Sequence, residues 1–165
     1  MDGITYGLIE GFITEFVKGE NLNVCDVGSY DVNGTFKPLF VGHRYTGLDI
    51  MEGPNVDIVS KELYHYPFDD ESFDIVVSGS TLEHVKDMFS WIKELARIVK
   101  KQGFICITCP SIHRNRHPHP VDCWRIYPDG MIYLLGDVAG LEVLKVARSN
   151  INGRSVECMG IGRKK

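Results

Sequence analysis

Two acids and a glycine turn near the amino terminus have the types and spacing of a nucleoside-binding site. Asp26 and Gly28 stand at the end of a short apolar segment, and Asp49 ends the next such segment about twenty residues later. A carboxylate at this distance from a glycine turn accepts hydrogen bonds from the two ribose hydroxyls of a nucleoside. The pattern therefore predicts nucleoside binding, with Asp49 as the ribose ligand.

The loop that follows Gly28 indicates which nucleoside would bind. A dinucleotide needs the pattern G-x-G-x-x-G, so that bare backbone amides can meet a pyrophosphate. Here Tyr30 fills one glycine position, and Asp31 would face the phosphates with the same sign of charge. S-adenosylmethionine carries an ammonium and a sulfonium group and no phosphate, so an acid-bearing loop favours it. The alternative is that Gly28 and Gly34 only shape a turn and Asp31 is a solvated acid.

A second group of chemically capable residues lies in the segment 111–127, SIHRNRHPHPVDCWRIY. Loops of this length in compact domains are usually functional or disordered. Trp124 and Arg125 could form an aromatic, cationic wall for a polar acceptor, and Asp122 or a histidine could act as a general base. The alternative is that the His-Pro-His-Pro run is a stiff surface turn and that Trp124 packs over the sheet edge.

His84 stands where a substrate could approach, just after the apolar segment 73–77. Its imidazole could take part in catalysis or could simply be solvated. The neighbouring Glu83 and Ser80 have the spacing of a capping box, Ser-x-x-Glu, at the start of the next helix. We therefore predict a capping role for Glu83 and include His84 among the catalytic candidates.

Neither the loop histidines nor the cysteines have the spacing of a metal site. His113, His117 and His119 are four and two residues apart among prolines, which matches no usual zinc framework. Cys106 and Cys109 have CxxC spacing but fall within an apolar strand, where side chains three residues apart point to opposite faces. We predict no metal, and the odd count of five cysteines indicates reduced thiols.

The elements that must position these residues alternate between strand-like and helical segments. Buried strands are predicted at 23–27, 45–50, 56–59, 73–77 and 104–109. Helical spacing covers 4–18, with Asp2 as a candidate N-cap, then 85–99, with Gly103 just past its end, and a helix that starts at Pro128. Two alternating strands, 141–147 and 155–161, are joined by a turn at Asn150, Asn152 and Gly153.

This order predicts an α/β fold with a doubly wound, Rossmann-like, seven-stranded sheet. The sheet is mostly parallel and ends in an antiparallel C-terminal β-hairpin. In such sheets ligands bind beyond the carboxyl ends of the strands, near the point where the strand order reverses. Both groups of candidate residues follow strands, so we expect them at that edge.

Composition limits the classes of partner. The 165 residues fit one domain, 1–165, and the net charge of −4 without a basic patch disfavours a nucleic-acid partner. No apolar run reaches the ~20 residues that span a bilayer, and the amino terminus has no signal-peptide pattern. A cytoplasmic protein without a membrane partner is expected.

The chain resembles the class I S-adenosylmethionine-dependent methyltransferases, of the small kind called methyltransferase type 11. The resemblance covers nearly the whole length, and its most specific stretches are 66–85 and 94–111. The matching stretches read CDVGSYDVNG (25–34), YTGLDI (45–50), YPFDDESFDIVVSGSTLEHV (66–85), ELARIVKKQGFICITCPS (94–111) and PVDCWRIYPDG (120–130).

The resemblance implies a set of residues that hold S-adenosylmethionine. The loop after the first strand would contact the methionine part, and the end of the second strand would bind the ribose. The loop around 61–64 would cover the adenine, and the segment 78–81 would line the methionine end. The implied residues are Asp26, Gly28, Ser29, Tyr30, Asp31, Asp49, Ile50, Lys61, Glu62, Ser78 and Ser80. Two features depart from the family pattern: the usual G-x-G-x-G loop is reduced, and no aspartate stands clearly at the adenine position.

The implied reaction moves a methyl group to an oxygen or nitrogen atom of a small molecule or a glycan-type acceptor. His84, Asp122, Trp124 and Arg125 are the catalytic candidates for that step. The nearly minimal core suits a large acceptor, a partner subunit or a homodimer. The alternative function is a non-catalytic S-adenosylmethionine-binding module or partner subunit, and a nicotinamide-dependent oxidoreductase ranks third.

Overall fold

The computed structural model describes residues 3–32, 34–118 and 121–165, with only the backbone of Ile151. Asp2, Asn33, His119 and Pro120, which entered the sequence predictions, lie outside these ranges. The elements in chain order are α1 (Gly3–Phe16), β1 (Asn23–Val27), a 3-10 helix (Lys37–Phe40), β2 (Arg44–Asp49), β3 (Ile58–Val59), β4 (Phe73–Gly79), a 3-10 turn (Leu82–His84), α2 (Met88–Ile98), β5 (Val99–Pro110), α3 (Pro128–Tyr133), a π-helical turn (Leu134–Val138), β6 (Glu142–Ile151) and β7 (Arg154–Arg163).

The seven strands form one sheet in the order β3-β2-β1-β4-β5-β7-β6. The first five strands pair in parallel, whereas β7 runs antiparallel to both β5 and β6. The predicted doubly wound α/β sheet with an antiparallel C-terminal hairpin is therefore confirmed. The strand order reverses between β1 and β4, so the carboxyl ends of β1, β2 and β4 border one crevice.

Apolar side chains cover both faces of the sheet. On one face α2 contributes Trp91 and Leu95 to a core that also contains Cys109. On the other face Phe12 of α1 packs in a core with Cys106. The two cysteines of the CxxC run therefore point to opposite faces, as predicted, and burial raises the pKa of each thiol. Among the described helices, none is both long and apolar enough to cross a bilayer.

The predicted start of the second helix is wrong. The side chain of Asp87 caps α2, because its carboxylate accepts from the N–H groups of Phe89 at 3.1 Å and Ser90 at 3.0 Å. Ser80 and Glu83 form no capping box here. Ser80 lies outside the helix with a φ of 54°, and Glu83 is fully buried in the 3-10 turn before it. Glu83 is thus available for another role.

The predicted end of the same helix is also wrong, because β5 begins at Val99 and follows α2 directly. Val99 already has extended dihedrals, φ −77° and ψ 140°. Gly103 lies inside β5 rather than past a helix end, and a Cβ there would come within 2.8 Å of the Asp74 carbonyl oxygen. The polar run 100–103 lies within β5 but forms an irregularity there, because the β4–β5 register passes from Phe73–Val99 directly to Ile75–Phe104 and Gln102 has a φ of 62°.

The other predicted boundaries hold with small changes. Pro128 opens α3, and the β6–β7 hairpin turns at Asn152 and Gly153, whose φ values are 49° and 78°. The third strand is shorter than predicted and spans only Ile58–Val59. The amino-terminal helix ends at Phe16, before the predicted boundary.

Candidate functional site

The loops after β1 and β4 touch at Gly28. Its φ is 83°, a left-handed value that glycine adopts without strain. A Cβ at this position would lie 2.0 Å from Oγ1 of Thr81, so only glycine fits. The hydroxyl of Thr81 donates in turn to the Val27 carbonyl oxygen at 3.3 Å. The glycine turn thus closes one end of the crevice against the segment that follows β4.

Asp49 lies at the carboxyl end of β2 and orients the loops around it. Its Oδ2 accepts from the N–H of Tyr30 at 3.0 Å, and its Oδ1 accepts from the N–H groups of Ile50 at 2.7 Å and Met51 at 3.2 Å. The carboxylate is only partly buried, and its two oxygens offer about four lone-pair directions. One lone-pair direction therefore remains for a ligand hydroxyl. The direction used by the long contact to the Met51 N–H can be shared with a second hydroxyl.

Asp26 is buried in β1 beside this carboxylate. One oxygen accepts from the hydroxyl of Tyr45, and the other has no hydrogen-bond partner within residues 3–32, 34–118 and 121–165. Burial raises the pKa of Asp26 to about 7. The buried hydroxyl of Ser29 likewise has no partner in the same part of the chain. Unsatisfied buried acceptors of this kind are suited to a cationic, hydrogen-bonding ligand.

The segment after β4 contributes backbone more than free side chains. The hydroxyl of Ser78 is buried and donates to the Val27 carbonyl oxygen at 2.7 Å, which joins β4 to β1. The N–H of Ser80 donates to the Thr108 carbonyl oxygen at 3.1 Å. The side chain of Ser78 is therefore committed to the sheet, whereas Ser80 is partly exposed at its edge.

Two further predicted cofactor residues, Lys61 and Glu62, lie in the segment after β3. Lys61 donates to the Ile50 carbonyl oxygen at 2.8 Å, and the carbonyl oxygen of Glu62 accepts from Ser60 at 3.2 Å. These contacts fold the segment after β3 back towards β2. The ring of Tyr30 covers Gly53, where a Cβ would lie 1.9 Å from the ring.

Asp31 shapes the loop in which it lies. Its Oδ1 accepts from the N–H of Gly34 at 2.6 Å, which is an Asx-type turn. The alternative considered above had Gly34 shape a turn and Asp31 solvated, whereas here the Asp31 carboxylate takes part in that turn. The contact leaves its second oxygen for other contacts.

A second cluster of polar groups follows β4 on the side of β5. Glu83 is fully buried, and its Oε1 lies 3.2 Å from Nε2 of His117 and 3.6 Å from Nε2 of His84. We call these three residues the Glu83 cluster. The N–H of Cys123 donates to the Glu83 carbonyl oxygen at 2.7 Å, which fastens the loop 111–127 to the turn after β4. Burial raises the pKa of Glu83.

Asp122 and Arg125 organise the loop 111–127 from within. The guanidinium binds both oxygens of Asp122, one of them at 2.7 Å, and Asp122 also accepts from the His117 N–H at 2.7 Å. The Arg125 hydrogen bonds hold the pKa of Asp122 well below its usual range. A carboxylate with both oxygens engaged and a lowered pKa is a weak base, so these contacts favour a positioning role for Asp122 over the predicted proton transfer.

Trp124 is partly buried against the core, and its Nε1 donates to the Val85 carbonyl oxygen at 2.7 Å. This is the packing arrangement that the sequence left open as an alternative. The residue nonetheless borders a cavity of about 250 Å³ that is lined by residues of the loop. The cavity is lined by Ile112, Arg114, Arg116, Asp122, Cys123, Trp124 and Arg125.

Two buried features of this region were not predicted. Glu157 of β7 is fully buried, its carboxylate oxygens have no hydrogen bond within the described chain, and burial raises its pKa to about 7. The strand pattern held a signal for it, since Glu157 shares a face with Met159 and Ile161. Glu83 was assigned to a helix cap, and no local signal placed it beside His117.

Comparison with known proteins identifies the family. The profile of the family described as "Methyltransferase domain" matches residues 25–107, about half of the chain. The chain belongs to this methyltransferase family. The matched range contains β1 to β5 up to Ile107, and with them the crevice, Asp49 and two members of the Glu83 cluster.

Individual relatives agree with this membership. A demethylmenaquinone methyltransferase of Roseiflexus castenholzii is 33% identical over 72 residues, which cover 44% of this chain and 29% of that protein. The chain spans about a third of the length of the curated relatives it matches.

Solved structures share the fold. A Burkholderia thailandensis 1,6-didemethyltoxoflavin-N1-methyltransferase, solved with its substrate and S-adenosylhomocysteine, has a TM-score of 0.75 at 15% identity. The match covers 99% of this chain and 77% of that one. A methyltransferase in complex with the Haloferax volcanii Trm112 methyltransferase activator has a TM-score of 0.72 at 18% identity, with coverage of 98% and 94%.

S-adenosylmethionine is the cofactor of this methyltransferase family, and the residues in the crevice fit it. Asp49 offers an acceptor direction to a ribose hydroxyl at the end of β2. The unpartnered atoms of Asp26 and Ser29 lie at the end of β1, where a cationic methionine group gains from a carboxylate. The backbone N–H groups of residues 28–32 all donate to other atoms of the chain, so this part of the loop offers little to a pyrophosphate.

Proposed function

We propose that this domain transfers the methyl group of S-adenosylmethionine to an oxygen or nitrogen atom of a small polar acceptor beside the loop 111–127. The observation that carries the proposal is the contact between Gly28 and Thr81. It joins the cofactor crevice to the turn that bears Glu83 and His84, only a few residues further along the chain.

The main task of the protein in this reaction is to align the acceptor atom with the methyl group. S-adenosylmethionine supplies an electrophilic methyl group, and the reaction is an in-line displacement by the acceptor. Asp49 would hold the ribose and Asp26 the cationic end, which fixes the direction of the methyl group. The loop 111–127, fastened by Asp122 and Arg125, would exclude water and hold the acceptor.

The Glu83 cluster would accept the proton that an attacking hydroxyl or amine loses. Nδ1 of His84 contacts the Val121 carbonyl oxygen, so its proton stays on Nδ1 and Nε2 keeps a lone pair. Nε2 lies 3.6 Å from Glu83 Oε1, whose negative charge stabilises a positive charge on the ring. The buried position of Glu83 strengthens this interaction.

The cavity beside the loop favours an acceptor with an anionic or strongly polar group. Three arginines, Arg114, Arg116 and Arg125, line it, together with the single acid Asp122. Arg116 is exposed at its rim. Such a surface suits a carboxylate, a phosphate or a hydroxyl-rich glycan, and this is the class of acceptor that we propose.

An acceptor screen tests the proposal. The protein is incubated with S-adenosylmethionine and panels of polar hydroxyl and amine metabolites, glycans and a demethylmenaquinone. Formation of S-adenosylhomocysteine and the mass of the product are measured. We expect turnover with a polar oxygen or nitrogen acceptor, lost in Asp49→Asn and in His84→Ala. Methylation confined to the quinone, or cofactor binding without any turnover across the panels, would overturn it.

A partner subunit or a homodimer remains a prediction. Support comes from the fold neighbour that was solved in complex with the Haloferax volcanii activator. Light scattering during gel filtration gives the mass in solution. A mass of one chain, unchanged after mixing with a cell extract of the source, would contradict the prediction.

A further inference from the structure

Three hydrogen-bond acceptors converge in the Glu83 cluster. Oε1 of Glu83, Nε2 of His84 and Nε2 of His117 all lie within 4.8 Å of one another. The carboxylate is fully buried, while the two imidazoles close it off from the side of the loop. Its second oxygen, Oε2, has no hydrogen bond within the described part of the chain.

The backbone fixes the protons of both imidazoles away from Glu83. Nδ1 of His84 contacts the Val121 carbonyl oxygen, and Nδ1 of His117 contacts the Asn115 carbonyl oxygen at 3.0 Å. A carbonyl oxygen only accepts, so a neutral ring that donates to it carries its proton on Nδ1 and directs a lone pair from Nε2 towards the carboxylate. Three lone pairs that face one another require a positive charge between them.

We propose that Glu83, His84 and His117 bind a divalent transition-metal ion. Metal bonds of about 2.0–2.2 Å at tetrahedral angles separate two donor atoms by about 3.3 Å. The observed separations from Glu83 Oε1 are 3.2 Å and 3.6 Å. Two imidazole nitrogens and one carboxylate oxygen suit zinc, cobalt, nickel or iron rather than magnesium or calcium.

The surroundings have the character of a metal site. Histidine ligands of metals usually donate their other ring N–H to a carbonyl or carboxylate, as both rings do here. The neighbouring Glu157 adds a second buried carboxylate, and Arg114 Nε stands 3.8 Å from it. A cation between the histidines offsets the cost of the buried carboxylate of Glu83.

Three protein ligands leave one position open, as in catalytic rather than structural zinc sites. That position is open to an oxygen of a bound molecule or to water. With the metal bound, His84 Nε2 is a ligand and cannot take the acceptor's proton, so a hydroxide at the open position would take that proton instead. The proposed site differs from the sequence prediction of no metal. That prediction considered only His113, His117 and His119, and the structure takes His117 from that set but supplies Glu83 and His84 from the turn after β4. His113 is engaged elsewhere, with the Ser155 carbonyl oxygen at 3.3 Å.

Metal titration of the untagged full chain tests the site without S-adenosylmethionine. After treatment with a chelator and dialysis, Zn²⁺ binding is measured by calorimetry, and Co²⁺ binding by its visible absorption. We expect one equivalent of each, and a dissociation constant raised by about 100-fold in His117→Ala and in Glu83→Gln. The His117 side chain is 43% exposed, so its removal leaves the fold intact.

His113→Ala is the matched control, because it removes a histidine from the same loop but outside the cluster. It is expected to bind Zn²⁺ like the unaltered protein. The proposal is overturned if the unaltered protein shows no saturable Zn²⁺ binding, or if His117→Ala binds as tightly as His113→Ala. Either result would show that the Glu83 cluster binds protons rather than a metal ion. Because no cofactor or acceptor is present, this outcome is independent of whether the domain transfers methyl groups.

Discussion

Asp49→Asn tests the proposed contact between Asp49 and the ribose of the cofactor. The substitution keeps the shape but replaces one acceptor oxygen with an N–H₂ donor and removes the charge. An ionised acceptor adds about 1.5–3 kcal/mol per hydrogen bond. The free carboxylate direction and the one shared with Met51 would serve two ribose hydroxyls. The loss should therefore reach about 3 kcal/mol, which corresponds to a roughly 100-fold weaker affinity.

Calorimetric titration with S-adenosylhomocysteine measures this change. Glu52→Gln is the matched control, since it removes the same charge from an exposed side chain three residues further along. We expect the control to bind with unchanged affinity. The N–H₂ group introduced by Asp49→Asn would also face the N–H of Tyr30 or of Ile50, so the free protein should lose about 1–2 kcal/mol of stability. Equal affinity of Asp49→Asn and Glu52→Gln would refute the ribose assignment.

Three further predictions concern stability and loop structure. The pKa of Asp26 rises from 3.8 unfolded to about 7 folded, so its contribution to the free energy of unfolding falls as the pH rises between these values. Urea unfolding at pH 4 and pH 8 should show Asp26→Asn gaining up to about 4 kcal/mol relative to the unaltered protein. Gly28→Ala should cost at least about 2 kcal/mol, from its positive φ and its contact with Thr81, and Thr81→Gly should recover part of this in the double variant. Trp124→Phe should cost about 1 kcal/mol through loss of the hydrogen bond to Val85, while Trp124→His, which retains a ring donor but not the packing, should cost more.

Each of these has a clear contrary result. If the difference in free energy of unfolding between Asp26→Asn and the unaltered protein is the same at pH 4 and pH 8, the pKa of Asp26 is not raised in the folded protein. Additive losses in the Gly28→Ala, Thr81→Gly double variant would show that the two residues do not touch. An unchanged thermal midpoint in Trp124→Phe would show that the indole N–H makes no net contribution.

The sequence predicted the sheet because each strand has its own local signal. The apolar run 73–77 and the turn at Asn152 and Gly153 require no knowledge of distant residues. The place of Asp49 at the end of β2 was predicted in the same way, since the distance from Gly28 to the end of the next strand is set by the fold. These features depend only on patterns and spacings along the chain, which can be read directly from the sequence.

The Glu83 cluster and the start of β5 were missed for physical reasons. Glu83 and His117 are 34 residues apart and meet because long-range contacts, such as the Cys123 N–H to the Glu83 carbonyl oxygen and Trp124 Nε1 to the Val85 carbonyl oxygen, fasten the loop to the turn. The spacing Ser80-x-x-Glu83 matched the capping-box motif, but the side chain of Asp87 accepts from the first free N–H groups of α2 instead. The run 100–103 has turn-like composition and is indeed an irregularity in the β4–β5 register, but Val99 before it already pairs with Phe73, so β5 begins earlier than predicted.

A crystal structure with S-adenosylhomocysteine tests the central claim most directly. We predict that the ribose hydroxyls lie within hydrogen-bond distance of Asp49, and that the sulfur faces the turn at 82–84 on the side of the loop 111–127. An adenosine bound away from β2, or a sulfur directed away from His84, would contradict the account of both the cofactor site and the acceptor site.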